Sequence, residues 1–256
     1  EKYGKDIFPD TYGFIKKYKD NWIWGVDGTG DITVLDNLRW YRQYVRKDWG
    51  SGSSSKVSLA TGDAGIYDDN PLIFQKLELA QLCMVTAVLG DGGNCVIKHF
   101  MPYVRRAPET YEASGCLMGL LFLYYLLFEK IILIKPLSSN PDSGEFYVIG
   151  KKFKGVNEER FEELIGLLDN FEVNQCIFPK DSIPETFTRQ VIEFSDNVLK
   201  MNVDHNDIQN TLMTCLSTRD PVIEKVTQCR EYLDVEKTKN LLNIRCAEWV
   251  KEYRFA

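Results

Sequence analysis

Histidines and paired cysteines are scarce in this sequence of 256 residues. It contains only two histidines, His99 and His205, and its seven cysteines are scattered without a single Cys-x-x-Cys pair. Zinc sites usually combine these residue types at short, regular spacing. The sequence therefore predicts no metal site. Its odd, scattered cysteines favour reduced thiols in an intracellular compartment, either the cytoplasm or the nucleus.

Long apolar runs and a strong positive charge are also missing. The longest apolar run, residues 115–128, has fourteen residues, whereas a membrane-spanning helix needs about twenty. We therefore expect no membrane association and a buried helix at this position. The net charge of −6 excludes a generally basic nucleic-acid-binding chain, so any RNA contact must come from a local patch.

Strand-like and helix-like segments alternate along the first part of the chain. The expected strands are 21–26, 57–60, 94–98, 130–135 and 145–150, and the expected helices are 36–48, 71–89 and 110–128. This alternation predicts an α/β fold with a Rossmann-like, doubly wound, mostly parallel sheet. The loop between the last two strands is too short for a crossover helix, so these strands are predicted to be an antiparallel pair.

The pattern changes after residue 155. From there on only amphipathic helices are expected, at 158–168, 186–200, 206–216, 221–233 and 235–253. We therefore predict two domains, an α/β domain at 1–155 and a C-terminal helical extension at 156–256. The extension carries no chemical motif and is interpreted as a packing or assembly surface.

Three charged residues each stand at the end of an apolar strand-like run. They are Asp63, Lys98 and Glu145. Ligands of α/β sheets bind in the crevice outside the strand ends, and charges are brought into apolar surroundings only when they are paired or used chemically. We expect the three side chains to converge at one edge of the sheet. The pattern favours a proton-handling site, and the alternative is an ion-pair cluster that pins the strand ends.

The segments around these residues resemble, in order, the motifs of the FtsJ-like (RrmJ-type) ribose 2′-O-methyltransferases. The segments are TGDAGI at 61–66, GDGGNCVIKHF at 90–100 and KPLSSNPDSGEFYVIGKKFKG at 135–155. The family's catalytic set is Lys-Asp-Lys-Glu, so the resemblance implies that Asp63, Lys98 and Glu145 are its last three members. The chain looks most similar to the FtsJ-like proteins of large cytoplasmic DNA viruses, which adds a viral particle or viral factory as a possible location.

The resemblance also implies ligands and the residues that bind them. It implies S-adenosyl-L-methionine as the methyl donor and an RNA 5′ end or cap as the substrate. The implied donor-binding residues are Asp31, Ile32 and Asp63, and the implied RNA-binding residues are Arg105, Arg106, Lys151 and Lys152. The family's first catalytic lysine and its Gly-rich donor-binding loop (motif I) are not found in this sequence. An upstream segment or a further chain supplies them, or the donor site is degenerate.

Three functions remain open at this point. The first is an RNA (cap) ribose 2′-O-methyltransferase, in which Lys98 orients or deprotonates the ribose hydroxyl, Asp63 holds Lys98, and Glu145 orients Lys98 or the ribose. The second is a catalytically inactive FtsJ-like RNA-binding or scaffolding subunit of a larger assembly. The third is an unrelated nucleotide-binding α/β protein, although no GxxxxGK[ST] motif supports it. His99, next to Lys98, is interpreted as a packing residue on the opposite strand face.

Overall fold

The computed structural model describes residues 12–48, 50–51, 54–64, 71–101, 115–136, 139–140, 143–172, 174 and 176–217. Its helices are α1 (Leu35–Asp48), α2 (Pro71–Val88), α3 (Gly115–Leu127), α4 (Glu158–Gly166) and α5 (Glu185–Ser217). Its main strands are β1 (Leu59–Gly62), β2 (Asn94–Phe100), β3 (Phe128–Ile134) and β4 (Glu145–Phe153). Short elements are a helical turn at Phe14–Lys17, 3-10 turns at Lys19–Asn21 and Lys180–Ser182, and an antiparallel pair of two-residue strands, Gly50–Ser51 and Ser54–Ser55.

The main strands form one sheet in the order β1-β2-β4-β3. Strands β1 and β2 pair in parallel, and β4 pairs antiparallel with both β2 and β3. Therefore β1, β2 and β3 run in one direction, and β4 lies between β2 and β3 and runs in the opposite direction. The α/β, Rossmann-like class and the antiparallel strand pair are confirmed. The reversal follows from the short connection between β3 and β4, which leaves no room for a crossover helix.

The two faces of the sheet differ in burial, as the alternation of side chains along a strand requires. In β2 and β4 every second side chain is buried in the core beneath α2 and α3: Cys95, Ile97, His99, Phe146 and Val148. The intervening side chains, including Lys98 and Tyr147, are only partly buried. Helix α3 is the predicted buried helix. It is apolar on all sides, and Leu120, Leu121 and Tyr124 are at most 1% exposed.

The strand expected at 21–26 is wrong. Within the described residues this segment belongs to no sheet, and positive φ angles occur inside it at Gly25 and directly after it at Gly28 and Gly30. The buried Asn37 side chain holds the chain here, because its Nδ2 donates to Asp27 Oδ1 at 3.0 Å and to the Asp31 carbonyl at 2.9 Å. The glycines allow the chain to reverse before an extended segment long enough to pair can form.

The helices at 186–200 and 206–216 are one continuous helix, α5. Neither Gly nor Pro occurs between them, so nothing interrupts the backbone hydrogen-bond ladder. The helices expected at 221–233 and 235–253, and residues 110–114 of the third expected helix, lie outside the described residues. No helix in the described part of the chain combines the length and apolarity needed to cross a membrane.

The chain divides into two compact units, Glu1–Leu199 and Lys200–Ala256. Helix α4 belongs to the first unit and is fastened there by Arg42, whose side chain is 3% exposed. Its guanidinium donates to the Glu158 carboxylate at 3.0 Å and to the carbonyls of Thr86 at 2.9 Å and Val156 at 2.7 Å. The predicted domains, 1–155 and 156–256, are divided where the methyltransferase-like sequence ends. The two compact units are defined by contacts and do not test that division. That division stays a prediction.

Candidate active site

Asp63 and Lys98 meet because of the register of β1 and β2. The last pair of this parallel ladder is Gly62 with Ile97. The residues that follow, Asp63 and Lys98, therefore lie side by side. The Asp63 carboxylate and the Lys98 ammonium form a direct ion pair. The Lys98 side chain is 15% exposed and that of Asp63 is 73% exposed. The lysine stem therefore packs along the sheet, while the ion pair lies near its surface.

Glu145 reaches the same face of the sheet through β4. In the β2–β4 ladder Lys98 lies opposite Tyr147, and Phe100 lies opposite Glu145. Tyr147 follows two residues after Glu145 on the same face of β4, and the Glu145 carboxylate acts on its phenol. Burial raises the pKa of Tyr147, and the negative charges of Glu145 and Asp63 raise it further. Both acids thus act on one phenol, which stays protonated at neutral pH.

The loop before β4 fixes the Glu145 side chain. Ser139 Oγ donates to Glu145 Oε1 at 3.2 Å. Lys135 holds this loop, because its Nζ donates to the carbonyls of Ser143 at 2.6 Å and Glu145 at 3.1 Å. Burial lowers the pKa of Lys135, and the charge of Glu145 opposes this effect. Sequence reasoning assigned no role to Lys135 or Tyr147, although both lie in the third motif segment.

The structure therefore brings Asp63, Lys98 and Glu145 to one face of the sheet, but in two couples. Asp63 is paired with Lys98, whereas Glu145 accepts a hydrogen bond from Ser139 and its charge acts on Tyr147. Among the described ion pairs, none joins Lys98 to Glu145. Tyr147 connects the couples, since it faces Lys98 across the ladder. The catalytic roles of the three charged residues stay predictions.

A cavity of about 400 Å³ runs along β1 and α1. Its lining is mostly apolar and includes Ile32, Gly62 and Asp63, so two of the three predicted donor-binding residues share one cavity. The third, Asp31, is not part of the lining. Its carboxylate instead accepts hydrogen bonds from the Thr33 amide at 2.8 Å and the Thr33 hydroxyl at 2.7 Å.

The predicted RNA-binding residues are only partly described. Lys151 and Lys152 are exposed near the end of β4, where Lys152 has a φ of 57° and lies 3.0 Å from Glu129 in an ion pair. Lys151 is six residues along the strand from Glu145, which corresponds to roughly 20 Å. These lysines therefore do not join the strand-end charges. Arg105 and Arg106 lie outside the described residues.

His99 occupies the opposite face of the sheet, as predicted. Its side chain is fully buried. Its ring nitrogens lie 3.4 Å from Glu78 Oε1 and 3.0 Å from the Tyr124 hydroxyl. Burial raises the pKa of Tyr124 well above its ordinary value. This network joins α2 and α3 to β2 beneath the site. The described residues contain no cluster of three or more His, Cys, Asp or Glu side chains suited to a metal ion.

Comparison with known proteins supports the motif resemblance. The chain is 28% identical over 210 residues to an uncharacterized protein, L511, of Acanthamoeba polyphaga mimivirus, in an alignment that covers 79% of this chain and 25% of that protein. It is 27% identical over 205 residues to cap-specific mRNA (nucleoside-2′-O-)-methyltransferase 1 of Dictyostelium discoideum, covering 77% and 24%. It is also 27% identical over 195 residues to the Homo sapiens protein of the same name, covering 72% and 21%.

No family model matches the chain. The predicted resemblance to the FtsJ-like methyltransferases, with a relative in a large DNA virus, is confirmed by the similar proteins. The chain spans about a quarter of the length of these curated relatives.

Proposed function

We propose that this chain forms part of an S-adenosylmethionine-dependent ribose 2′-O-methyltransferase that acts on the 5′ end or cap of RNA. One observation carries the proposal: the Asp63–Lys98 ion pair lies on the partly open face of the sheet beside Tyr147 and Glu145. Relatives whose names denote cap-specific mRNA methylation support it. The proposal places the chain where mRNA is capped, in the nucleus, the cytoplasm or a viral factory.

Methyl transfer to a ribose hydroxyl mainly requires that the oxygen be held in line with the methyl group. Lys98 is the group that would bind and orient the 2′-hydroxyl, because its amine reaches the surface while its stem is buried. Asp63 restricts the position of that amine. Glu145, which lies on the neighbouring strand β4 and is held by Ser139, would accept a hydrogen bond from the ribose.

The cavity beside β1 is the proposed methyl-donor site. Its volume of about 400 Å³ lies within the range of small-molecule pockets, roughly 300–1,000 Å³. Ile32 would contact the adenosine, and Asp63 would lie at the end of the cavity nearest the ion pair. The bound donor supplies an electrophilic methyl group on a sulfonium. We propose Asp31 as a further contact, which requires its carboxylate to exchange its bonds to Thr33.

RNA would be bound by basic side chains outside the ion pair. Lys151 and Lys152 are exposed and suited to phosphate contacts, and Arg105 and Arg106 are proposed on the resemblance alone. Because Lys151 lies roughly 20 Å from Glu145, it would contact nucleotides several positions away from the methylated one. Such contacts raise affinity and make it dependent on salt without specifying sequence.

The alternative is a catalytically inactive FtsJ-like subunit that binds RNA or acts as a scaffold. One sequence observation favours it: neither the first catalytic lysine nor the Gly-rich loop of the family is found. A partner chain or an upstream segment that supplied both would restore a complete site.

The test combines donor binding with methyl transfer. Calorimetry with S-adenosylmethionine and S-adenosylhomocysteine should show binding at micromolar concentrations. Transfer of labelled methyl groups to capped RNA should be lost in Lys98→Ala. Lys130→Ala is the matched control, because Lys130 is exposed on β3. No donor binding at millimolar concentration, together with no transfer, would overturn the enzymatic proposal. RNA binding that persists in that case would support the inactive subunit.

A further inference from the structure

We propose that Gln81 is a positioning residue, which holds Asp63 and Lys98 together by tying the end of β1 to the end of β2. Gln81 lies on α2, and it is 4% exposed. Its Oε1 accepts a hydrogen bond from the Ala64 amide at 3.1 Å, and its Nε2 donates to the Lys98 carbonyl at 3.2 Å. One side chain thus bonds to the residue after Asp63 and to Lys98 itself.

The tie acts beyond the point where backbone hydrogen bonds join β1 and β2. The ladder between β1 and β2 ends at the pair of Gly62 and Ile97, one residue before the ion pair. The Asp63 side chain is 73% exposed and has little packing to restrain it. The bond from Ala64 to Gln81 therefore fixes the direction in which the chain leaves β1. That direction decides whether the Asp63 carboxylate meets the Lys98 amine.

Only a glutamine side chain meets both requirements at this position. A primary amide offers an acceptor and a donor at one end, and both are used here. Ionised glutamate lacks the donor for the Lys98 carbonyl, and methionine lacks both groups. A buried amide whose oxygen and nitrogen are both hydrogen-bonded has a defined orientation, so it fixes the position of the strand ends relative to α2.

The backbone of β1 leaves space for this amide. A Cβ at Gly62 would lie 2.9 Å from Gln81 Oε1 and 2.9 Å from Ile97 Cδ1, closer than such contacts allow. Glu78, one turn earlier on the same face of α2, accepts a hydrogen bond from the Phe100 amide at 3.0 Å. Helix α2 therefore binds β2 on both sides of His99, at the Lys98 carbonyl and at the Phe100 amide.

The importance of the tie for catalysis rests on the proposed function, whereas the tie itself can be tested without activity. Gln81→Met keeps the volume and removes both bonds. The expected result is amide hydrogen exchange at Ala64 that is at least about 10-fold faster, and faster acylation of Lys98 by an amine reagent, read by peptide mass spectrometry. Thr86→Val is the matched control, because Thr86 is buried on the same helix and its hydroxyl donates within that helix, to the Cys83 carbonyl at 2.8 Å.

A second variant distinguishes the loss of one hydrogen bond from general misfolding. Gln81→Glu keeps the acceptor for Ala64 and loses the donor for Lys98, so Ala64 should stay protected while acylation of Lys98 rises. Unchanged Ala64 exchange in Gln81→Met would overturn the tie. Equal changes in Thr86→Val would overturn it as well, because they would reflect a loss of stability that is not specific to Gln81.

Methyl transfer provides the third readout. Gln81→Met should lower kcat, measured at saturating donor because Gln81 also lines the proposed donor cavity, by up to about 100-fold, since displacement of a reacting group by about 1 Å has effects of this size. Thr86→Val should leave kcat unchanged. Normal kcat despite faster Ala64 exchange would overturn the positioning role. A wild-type chain without any transfer would instead overturn the proposed function, and the exchange and acylation results would still decide on the tie.

Discussion

Lys98 and Tyr147 lie directly opposite each other in the antiparallel ladder between β2 and β4. Side chains of opposed residues share one face of a sheet and lie about 5 Å apart at Cβ. Lys98 forms the ion pair with Asp63, and the Glu145 carboxylate acts on the Tyr147 phenol. The two acid-containing couples are therefore neighbours because of register, although their acids come from strands that do not pair with each other.

Replacing either member of the ion pair tests whether it serves chemistry or stability. Asp63→Asn and Lys98→Met should each change the free energy of unfolding by no more than about 1 kcal/mol, because a largely exposed carboxylate gains little from pairing. Methyl transfer should fall at least about 100-fold. Urea unfolding and a transfer assay measure the two effects. A loss of about 3 kcal/mol or more with activity retained would show that the pair pins the strand ends.

Tyr147 should report the charge of Glu145 in a titration. Its pKa is raised by burial and by two nearby carboxylates, so Glu145→Gln should lower it toward the ordinary value of 10.0. NMR of tyrosine ring carbons measures this shift, with Tyr124 on the opposite face as an internal control that should not move. Because the folded pKa lies above the unfolded one, this phenol contributes stability below pH 10 that is lost as the pH rises through the folded pKa. An unchanged Tyr147 titration in the variant would contradict the influence of the Glu145 charge on this phenol.

Arg42 should be essential to the attachment of α4. Arg42→Met leaves the carbonyls of Thr86 and Val156 without this donor, while the exposed Glu158 carboxylate keeps Arg46, and we expect a loss of about 2–4 kcal/mol in unfolding free energy. Arg160→Met, which breaks only the exposed pair with Glu163, should cost less than about 0.5 kcal/mol. Chemical denaturation measures the free energy of unfolding of both variants. Equal losses would contradict the role of Arg42 in attaching α4.

The same cluster predicts a dependence on acid. Burial alone would raise the pKa of Glu158, but hydrogen bonds and charge from Arg42 and Arg46 outweigh it and lower the pKa below 4.5. Stability from this pairing is therefore fully present above pH 4.5 and is lost as the pH falls through the folded pKa. Denaturation between pH 3 and pH 6 should show a smaller acid-dependent loss in Arg42→Met than in the wild type.

Two glycines provide a matched packing test. A Cβ at Gly150 in β4 would lie 2.8 Å from both Cys95 Sγ and Phe128 Cδ1, which are buried. Gly150→Ala should therefore destabilise the fold by about 1–3 kcal/mol. Gly166, at the end of α4, has no atom within 4 Å of such a Cβ, and Gly166→Ala should stabilise by up to about 1 kcal/mol. Thermal unfolding should move in opposite directions, and equal shifts would contradict the packing of β4.

Local sequence patterns were sufficient for most of the fold. The apolar runs predicted α3 and strands β2, β3 and β4, because burial on one or both sides of an element leaves a trace in consecutive residues. The pattern failed at 21–26, where closely spaced glycines that follow turn the chain before it can pair. It also divided α5 in two, because a polar stretch resembles a loop when its length and neighbours are unknown.

The amino-acid sequence alone indicated which charged residues stand at strand ends, since their position depends only on the order of residues along each strand. It did not indicate that Tyr147 would lie between two acids, that Lys135 would hold the loop before Glu145, or that Gln81 would join two strand ends. These relationships depend on register and on packing between segments far apart in the chain. Their hydrogen bonds form only when the sheet and α2 are assembled, so no local pattern encodes them.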